Sequence, residues 1–256
     1  MKNILFVPAT EKMLSKVGVL NCDAYIIDLE DSIPDCEKQN ALSLLIEWLK
    51  DKRLENIFVR LNSNNFRNEA KSLDSFNVGF MLPKFQDTAF YNDCLEIWQH
   101  HKVLALIETP LGVINAFEIA SCKWIDMIAF GAEDYTAQLN MNNSNELLTY
   151  PKLAIVNAAK SQGKRVFDTP SFNYADLNAL SRDVQNSADL GFDGKLAINP
   201  KQIEIINSIF SSYDFAFMKE VIDEYEKSGL AVFQYKGKIY EKMHIARMKR
   251  ILKENQ

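Results

Sequence analysis

Eight short apolar runs, each separated from the next by a polar or amphipathic stretch, predict an α/β chain folded as a (β/α)8 TIM barrel with a C-terminal helix–hairpin–helix extension. The runs are ILFVP (4–8), AYIIDLE (24–30), NIFVRL (56–61), VGFMLPK (78–84), VLALIE (103–108), IDMIAFG (125–131), KRVFD (164–168) and GKLAIN (194–199). Several are apolar at consecutive rather than alternate positions, the mark of strands covered on both faces. The 256 residues match the usual size of one such barrel. An open doubly wound sheet is the competitor, but no GxGxxG follows the first run.

Between the runs lie helical patterns. In EKQNALSLLIEWLKD (37–51), Leu42, Leu45, Ile46 and Leu49 recur at helical spacing. TAFYNDCLEIWQ (88–99) is a second helix, and LLTYPKLAIVNAAKSQG (147–163) a third that ends in a helix-stopping glycine. The segment NMNNSNELL (140–148) is the most polar loop and is expected outside the core. The catalytic barrel domain is assigned to 1–210. Residues 211–256 form an extension acting as a lid or oligomerisation segment: a helix over 213–230, a hairpin over 231–240 turning near Lys236-Gly237, and a basic closing helix over 241–255.

Composition excludes several functions. The net charge of −5 without a basic stripe argues against nucleic acid as the ligand. Cys22, Cys36, Cys94 and Cys122 show no CxxC or CxxH spacing and read as free thiols of a reducing compartment. MKNILFVPAT lacks the features of a signal peptide, and no window holds the ~18 uninterrupted apolar residues of a membrane span. A cytoplasmic location is expected.

The chemistry gathers where apolar runs stop. VLALIE ends at Glu108 and WIDMIAFGAED at Asp134. An unpaired buried charge costs several kcal/mol, so a core strand has no use for either acid. In a barrel the carboxyl ends of the strands build the site. Those ends collect Asp28, Glu30, Asp31, Arg60, Asn62, Lys84, Glu108, Asp134, Asp168 and Asn199. Carboxylates outnumber cations, as a Mg2+ site requires, and Glu108 with Asp134 are its candidate ligands. Arg60 offers a planar fork for a substrate carboxylate. A second reading makes Glu108 and Asp134 a buried ion pair with Arg60 and Lys84. Glu30 and Asp31 have a competing role as caps of a helix near Pro34. Lys84 is read as a counter-charge or a Schiff-base lysine, and Asp168 as structural.

Taken in order, ILFVPAT, AYIIDLEDSIP, VRLN, LPK, IETPLGV, FGAEDY and GFDGKLAINPKQI resemble the HpcH/HpaI aldolase/citrate lyase family, in particular the citrate lyase beta subunit and the malyl-CoA and citramalyl-CoA lyases. The resemblance runs from Lys2 to about Phe210 and implies a Mg2+-dependent barrel that cleaves a carbon–carbon bond in a 2-hydroxyacyl thioester. It implies Glu108 and Asp134 as metal ligands and Arg60 as the group binding the substrate carboxylate and stabilising the enolate. Glu30 and Asp31 become carboxylates that hold metal-bound water. Lys84, Lys2, Pro110, Gly131 and Ala132 are implied as substrate-binding positions.

The implied partners are a 2-oxo or 2-hydroxy acid and a thioester on CoA or an acyl carrier, in a homo-trimer or hexamer. There the extension carries the general acid to a neighbouring subunit; Glu241 of KGKIYE stands where the family has Asp. Lys2 and Lys152 replace arginines and keep a charge for a CoA phosphate, while Asn199 replaces a histidine. These departures leave two alternatives open: an aldolase on free 2-oxo acids, and a catalytically weakened subunit.

Overall fold

The computed structural model describes residues 1–52, 54–173, 175–211 and 214–254. Tyr213 and Asn255, the outer ends of the two helices expected in the extension, lie outside them. Two compact units divide the chain, Met1–Phe210 and Ser211–Gln256.

In the first unit, chain order runs β1 (Asn3–Pro8), α1 (Glu11–Leu14), β2 (Ala24–Asp28), α2 (Lys38–Lys50), β3 (Ile57–Arg60), α3 (Phe66–Leu73), β4 (Gly79–Leu82), α4 (Leu95–Trp98) and β5 (Val103–Ile107). It continues with α5 (Pro110–Ile114), α6 (Ala116–Ser121), β6 (Met127–Phe130), α7 (Ala132–Leu139), α8 (Asn145–Ser161), β7 (Arg165–Asp168), α9 (Leu177–Asp189), β8 (Gly194–Ala197) and α10 (Lys201–Phe210). The strands pair in parallel and in sequence order, and β8 returns to β1 to close the barrel. All eight expected strands form; β1 starts one residue before its apolar run, and the other seven are a little shorter than theirs.

Side chains alternate across each strand, so two apolar cores result. Ile4, Ile26, Phe58, Met81, Leu104, Ala129, Phe167 and Leu196 fill the barrel interior. Leu5, Ile27, Val59, Phe80, Ala105, Ile128 and Val166 face the surrounding helices. This double burial is why the runs read as continuously apolar.

One helix expectation and one loop expectation change. Over 88–99 the chain winds first as a 3-10 turn (Ala89–Cys94) and only then as α4. The residues it buries, Tyr91 and Cys94, are three apart, which suits three residues per turn. Of the 140–148 segment, only 140–144 is loop. Ser144 caps α8, which starts at Asn145, and Leu148 is buried.

The second unit holds α11 (Phe215–Ser228), an antiparallel hairpin of β9 (Val232–Tyr235) and β10 (Lys238–Glu241), and α12 (Lys242–Glu254). Lys236 and Gly237 both adopt positive φ, 47° and 80°, as a two-residue hairpin turn requires. Val221, Ile222, Tyr240 and Ile245 form its core. Among the described residues no helix is long and apolar enough to cross a membrane.

Candidate active site

The period of two that fills the barrel also selects which strand-end residues enter the site. Ile26 faces inward and so does Asp28; Phe58 leads to Arg60, and Leu104 and Leu106 lead to Glu108. Together with Pro8, Phe130, Gly131, Ala132, Asp134, Thr169 and Ile198 they line one cavity of about 400 Å³ at the carboxyl end of the barrel.

On one wall Arg60 is nearly buried and its guanidinium is fully engaged. Nε and Nη2 donate to the two oxygens of Asp28 at 2.6 and 2.7 Å, a fork-to-fork pair. Nη1 donates to Asp31 at 2.8 Å and lies 3.5 Å from Glu30. Asp28 also accepts the backbone N–H groups of Glu30 and Ser32. Burial alone would raise the Asp28 pKa, but Arg60 outweighs it and holds the carboxyl below its ordinary value. Glu30 goes the other way: burial pushes it up despite Arg60, and its fully buried Oε2 accepts no hydrogen bond. Asp31 is half exposed, so it covers the Nη1 edge of Arg60 from the solvent side. Neither Glu30 nor Asp31 caps the helical turn that begins after Pro34.

The same cavity is lined by Glu108 and Asp134. Glu108 follows directly on β5 and Asp134 lies in the first turn of α7, a favourable place for a carboxylate. Burial, reinforced by the like charge of Asp134, lifts Glu108 to about 8. Its Oε1 accepts the backbone N–H of Lys84 at 2.7 Å. Lys84 adopts φ +50°, the left-handed region that lysine rarely visits, in the turn that aims this N–H. The Lys84 ammonium sits 3.6 Å from Glu30. Burial lowers its pKa, but Glu30, Asp31, Asp134 and Glu108 outweigh that and raise it. An amine held protonated is poorly suited to imine formation.

Gly131 admits the close approach of these elements. A Cβ there would stand 2.7 Å from both Cβ and Oε2 of Glu108. Gly131→Ala is therefore expected to displace the Glu108 carboxylate and lower kcat/KM at least about tenfold. Steady-state kinetics beside a thermal melt will show whether activity falls further than stability explains.

Among the described residues no group of three or more His, Cys, Asp or Glu is arranged as a complete metal cage. Mg2+ does not need one, since it takes one or two carboxylates and fills its octahedron with water and substrate oxygens. Asp28, Asp31, Glu108, Glu133 and Asp134 line the cavity with Arg60, while Lys84 pairs with Glu30 beside it, so carboxylates outnumber cations there. The buried Oε2 of Glu30 is an acceptor in want of a donor, a need that the O–H of a metal-bound water meets. The donor chemistry fits a hard divalent cation at Glu108 and Asp134.

Some expected site residues lie elsewhere. Lys2 precedes β1, and its carbonyl accepts the N–H of Lys195 at the amino end of the barrel. A strand of ~20 Å separates it from Pro8 at the cavity, so it is no substrate ligand there. Pro110 opens α5 behind Thr109, whose side chain accepts from Gly112, and does not line the cavity. Gly131 and Ala132 do line it, but their N–H groups are committed to Ile107 O and Thr169 Oγ1. Lys152 is almost fully buried, donating to Asp168 and Asn145, so it meets no phosphate on the surface. Asn199 accepts from the Lys201 N–H at the start of α10, a structural role. Glu241 ends β10 in the second unit, where its N–H donates to His244 Nδ1. Sequence reasoning passed over Thr169, which seats the start of α7, and gave Asp28 no role, although the inward parity of Ile26 and Asp28 was readable.

The sequence profile of the HpcH/HpaI aldolase/citrate lyase family matches residues 2–200. The chain belongs to the HpcH/HpaI aldolase/citrate lyase family. It is a lyase. The citrate lyase subunit beta of Haemophilus influenzae is 31% identical, with 98% of this chain and 95% of the relative covered. A (3S)-malyl-CoA thioesterase of Cereibacter sphaeroides is 28% identical over 98% and 93%. Among solved structures, Mycobacterium tuberculosis CitE in complex with magnesium, acetoacetate and coenzyme A superposes at a TM-score of 0.85, with 23% identity over 98% of this chain and 97% of that one. The citrate lyase beta subunit of M. tuberculosis complexed with oxaloacetate and magnesium gives 0.72 at 26% identity, covering 81% and 96%.

Proposed function

We propose that this HpcH/HpaI-family lyase is Mg2+-dependent and cleaves a hydroxyacyl thioester of the citryl, malyl or citramalyl type, a 2-hydroxy acid whose hydroxyl lies β to the thioester carbonyl, into an acyl thioester and a 2-oxo acid, or runs the reverse condensation. The observation that carries the reading is one cavity lined by two kinds of group: the unbalanced carboxylates Glu108 and Asp134, and the buried guanidinium of Arg60. The magnesium and oxaloacetate of the M. tuberculosis beta subunit complex lend support.

Glu108 and Asp134 would hold the cation, with Glu30 and Asp31 accepting hydrogen bonds from its waters. Bound there, Mg2+ supplies Lewis-acid charge to an α-hydroxy carboxylate. Arg60, fixed by Asp28, presents its Nη1 edge to the substrate carboxylate once the exposed Asp31 swings aside. Lys84, paired with Glu30, adds positive charge beside the cavity. The hydroxyl's proton passes to Glu30, whose buried carboxyl is held above its ordinary pKa and has an oxygen without a hydrogen bond, and the hydroxyl carbon becomes the carbonyl of the 2-oxo acid. The carbon–carbon bond breaks, and its electron pair passes to the thioester as an enolate. Fixed positive charge facing that enolate is the largest contribution expected of the protein. The enolate carbon then takes a proton from a general acid. For that acid we assign Glu241, carried in the extension of a neighbouring subunit within a homo-trimer or hexamer. The carrier of the thioester is CoA or an acyl carrier protein.

The test is release of 2-oxo acid from citryl-, malyl- and citramalyl-CoA, with Mg2+ and with EDTA. Turnover that chelation abolishes supports the proposal. Release of free thiol and intact hydroxy acid instead would mark a thioester hydrolase, as in the C. sphaeroides relative. Turnover that survives EDTA would overturn the metal assignment.

A further inference from the structure

We propose that Glu69 is a positioning residue of this site: its carboxylate pins the turn after β3, and through that turn it holds the Ser63 N–H and the neighbouring Arg60 against Glu30. The inference rests on the lyase reading above and extends it to a residue that touches neither substrate nor cation.

Glu69 lies on α3 and is only 1% exposed. A carboxylate so deeply buried is costly unless it is tied down. Its Oε2 accepts the backbone N–H of Asn62 at 2.7 Å, and its Oε1 receives Asn65 Nδ2 at 3.5 Å. Asn62 stands two residues beyond Arg60, and its own Oδ1 accepts the Asn64 N–H. The Asn65 carbonyl receives the Glu69 N–H, which ties the turn to the helix a second time. Within this turn the Ser63 N–H donates to Glu30 Oε1 at 3.4 Å, a long bond aimed at the carboxylate whose other oxygen has no hydrogen bond. Glu69 is thus connected to Glu30 through the adjacent backbone amides of Asn62 and Ser63, and β3 ends in Arg60 at the near side of the same turn.

A chain of this kind transmits geometry. Loss of the anchor lets the turn relax, and the first contact to go is the weakest, Ser63 to Glu30. Arg60 keeps its fork on Asp28, so binding of the substrate carboxylate suffers less than the step that needs Glu30 in place. Glu69 is also tuned to sense pH. Burial raises it to about 7; the hydrogen bonds from Asn62 and Asn65 and the charge of Lys38 on α2 pull it down, and Glu30 pushes it further up. Ionised, it is the stronger acceptor for the Asn62 N–H.

The test uses the full chain with saturating Mg2+. In Glu69→Ala, kcat should fall about tenfold or more while KM stays within about twofold, the signature of a group acting on the chemical step rather than on binding. In Glu69→Gln the amide oxygen still accepts from Asn62, so kcat should stay within about threefold of the parent. Hydrogen exchange supplies the readout that does not depend on turnover. Protection of the Asn62 and Ser63 amides should drop in Glu69→Ala, and in the parent it should weaken between pH 8 and pH 6 but stay flat in Glu69→Gln. If both variants keep the parent kcat, or if these two amides are equally protected in parent and Glu69→Ala, the proposal is overturned. Should the parent itself release no 2-oxo acid, the lyase reading fails, and the exchange data still decide whether Glu69 pins the turn.

Discussion

Glu108→Gln and Asp134→Asn each lower Mg2+-dependent kcat/KM by roughly a thousandfold or more, while the metal-free protein keeps its stability or gains some. The two halves of this expectation have one cause. Without a cation Glu108 is a buried carboxylate pressed by Asp134, and its pKa is lifted to about 8 from an ordinary value of 4.5. A folded-state pKa above the unfolded one means that the native protein binds the extra proton. Stability is therefore greatest near the lower value and declines as pH rises toward 8. The amide in Glu108→Gln carries no charge to bury, yet its oxygen still accepts the Lys84 N–H. The variant should then be more stable than the parent by on the order of 2 kcal/mol at pH 8, with the gap closing by pH 5. Melts in EDTA at both pH values measure this. Added Mg2+ should raise the parent melting temperature and leave the variants where they are, because only a ligand that prefers the native state stabilises it. Large destabilisation of both metal-free variants would instead show that the acids are structural partners of Arg60 and Lys84.

How much of this was legible follows from periodicity. The eight strands were readable because a barrel strand is covered on both faces, which leaves an unbroken apolar run. The same period, followed to the carboxyl end of each run, separates inward Asp28, Arg60 and Glu108 from outward Asp168. Lys2 shows the limit of motif order: its neighbours in ILFVPAT lead to the cavity, but Lys2 is on the wrong end of the strand. Asp134 was readable only as the acid after an apolar run; that it sits a turn into α7 depends on Gly131 and on the Thr169 hydroxyl, contacts between segments far apart in sequence. Pairings of this kind, such as Lys152 with Asp168, leave no local pattern. The short 3-10 turn at 89–94 escaped for a related reason, since tertiary burial of Tyr91 overrides the helical preference of the segment.

Asp168 is where the largest loss of stability is expected. Facing outward from β7, it is 0% exposed and lies between Lys152 of α8 at 2.9 Å and Lys195 of β8 at 3.0 Å. Ser187 of α9 donates to the same oxygen at 2.5 Å. Burial would raise its pKa, but Lys195 and Lys152 overcome that and hold it at about 2. Asp168→Ala leaves two buried ammonium groups with Asp183 as their remaining carboxylate, 3.1 Å from Lys195. Uncompensated buried charge costs about 3–5 kcal/mol, enough to lower Tm by roughly 10 °C in a chain of this size. The sign of the pH dependence is opposite to that of Glu108: a depressed pKa contributes stability that is complete above about 4 and lost as pH falls toward 2. The parent should lose stability in that window and the variant much less. Activity should fall with it, because Thr169, the next residue, accepts the N–H of Ala132 and so seats the helix that carries Asp134. A double variant, Asp168→Leu with Lys195→Met, removes charge of both signs and should recover part of the lost stability; recovery of turnover would then depend on whether Thr169 returns to Ala132. If Asp168→Ala melts within a degree or two of the parent, the cluster is not the clamp between β7, β8 and α8 that its burial and pairing indicate.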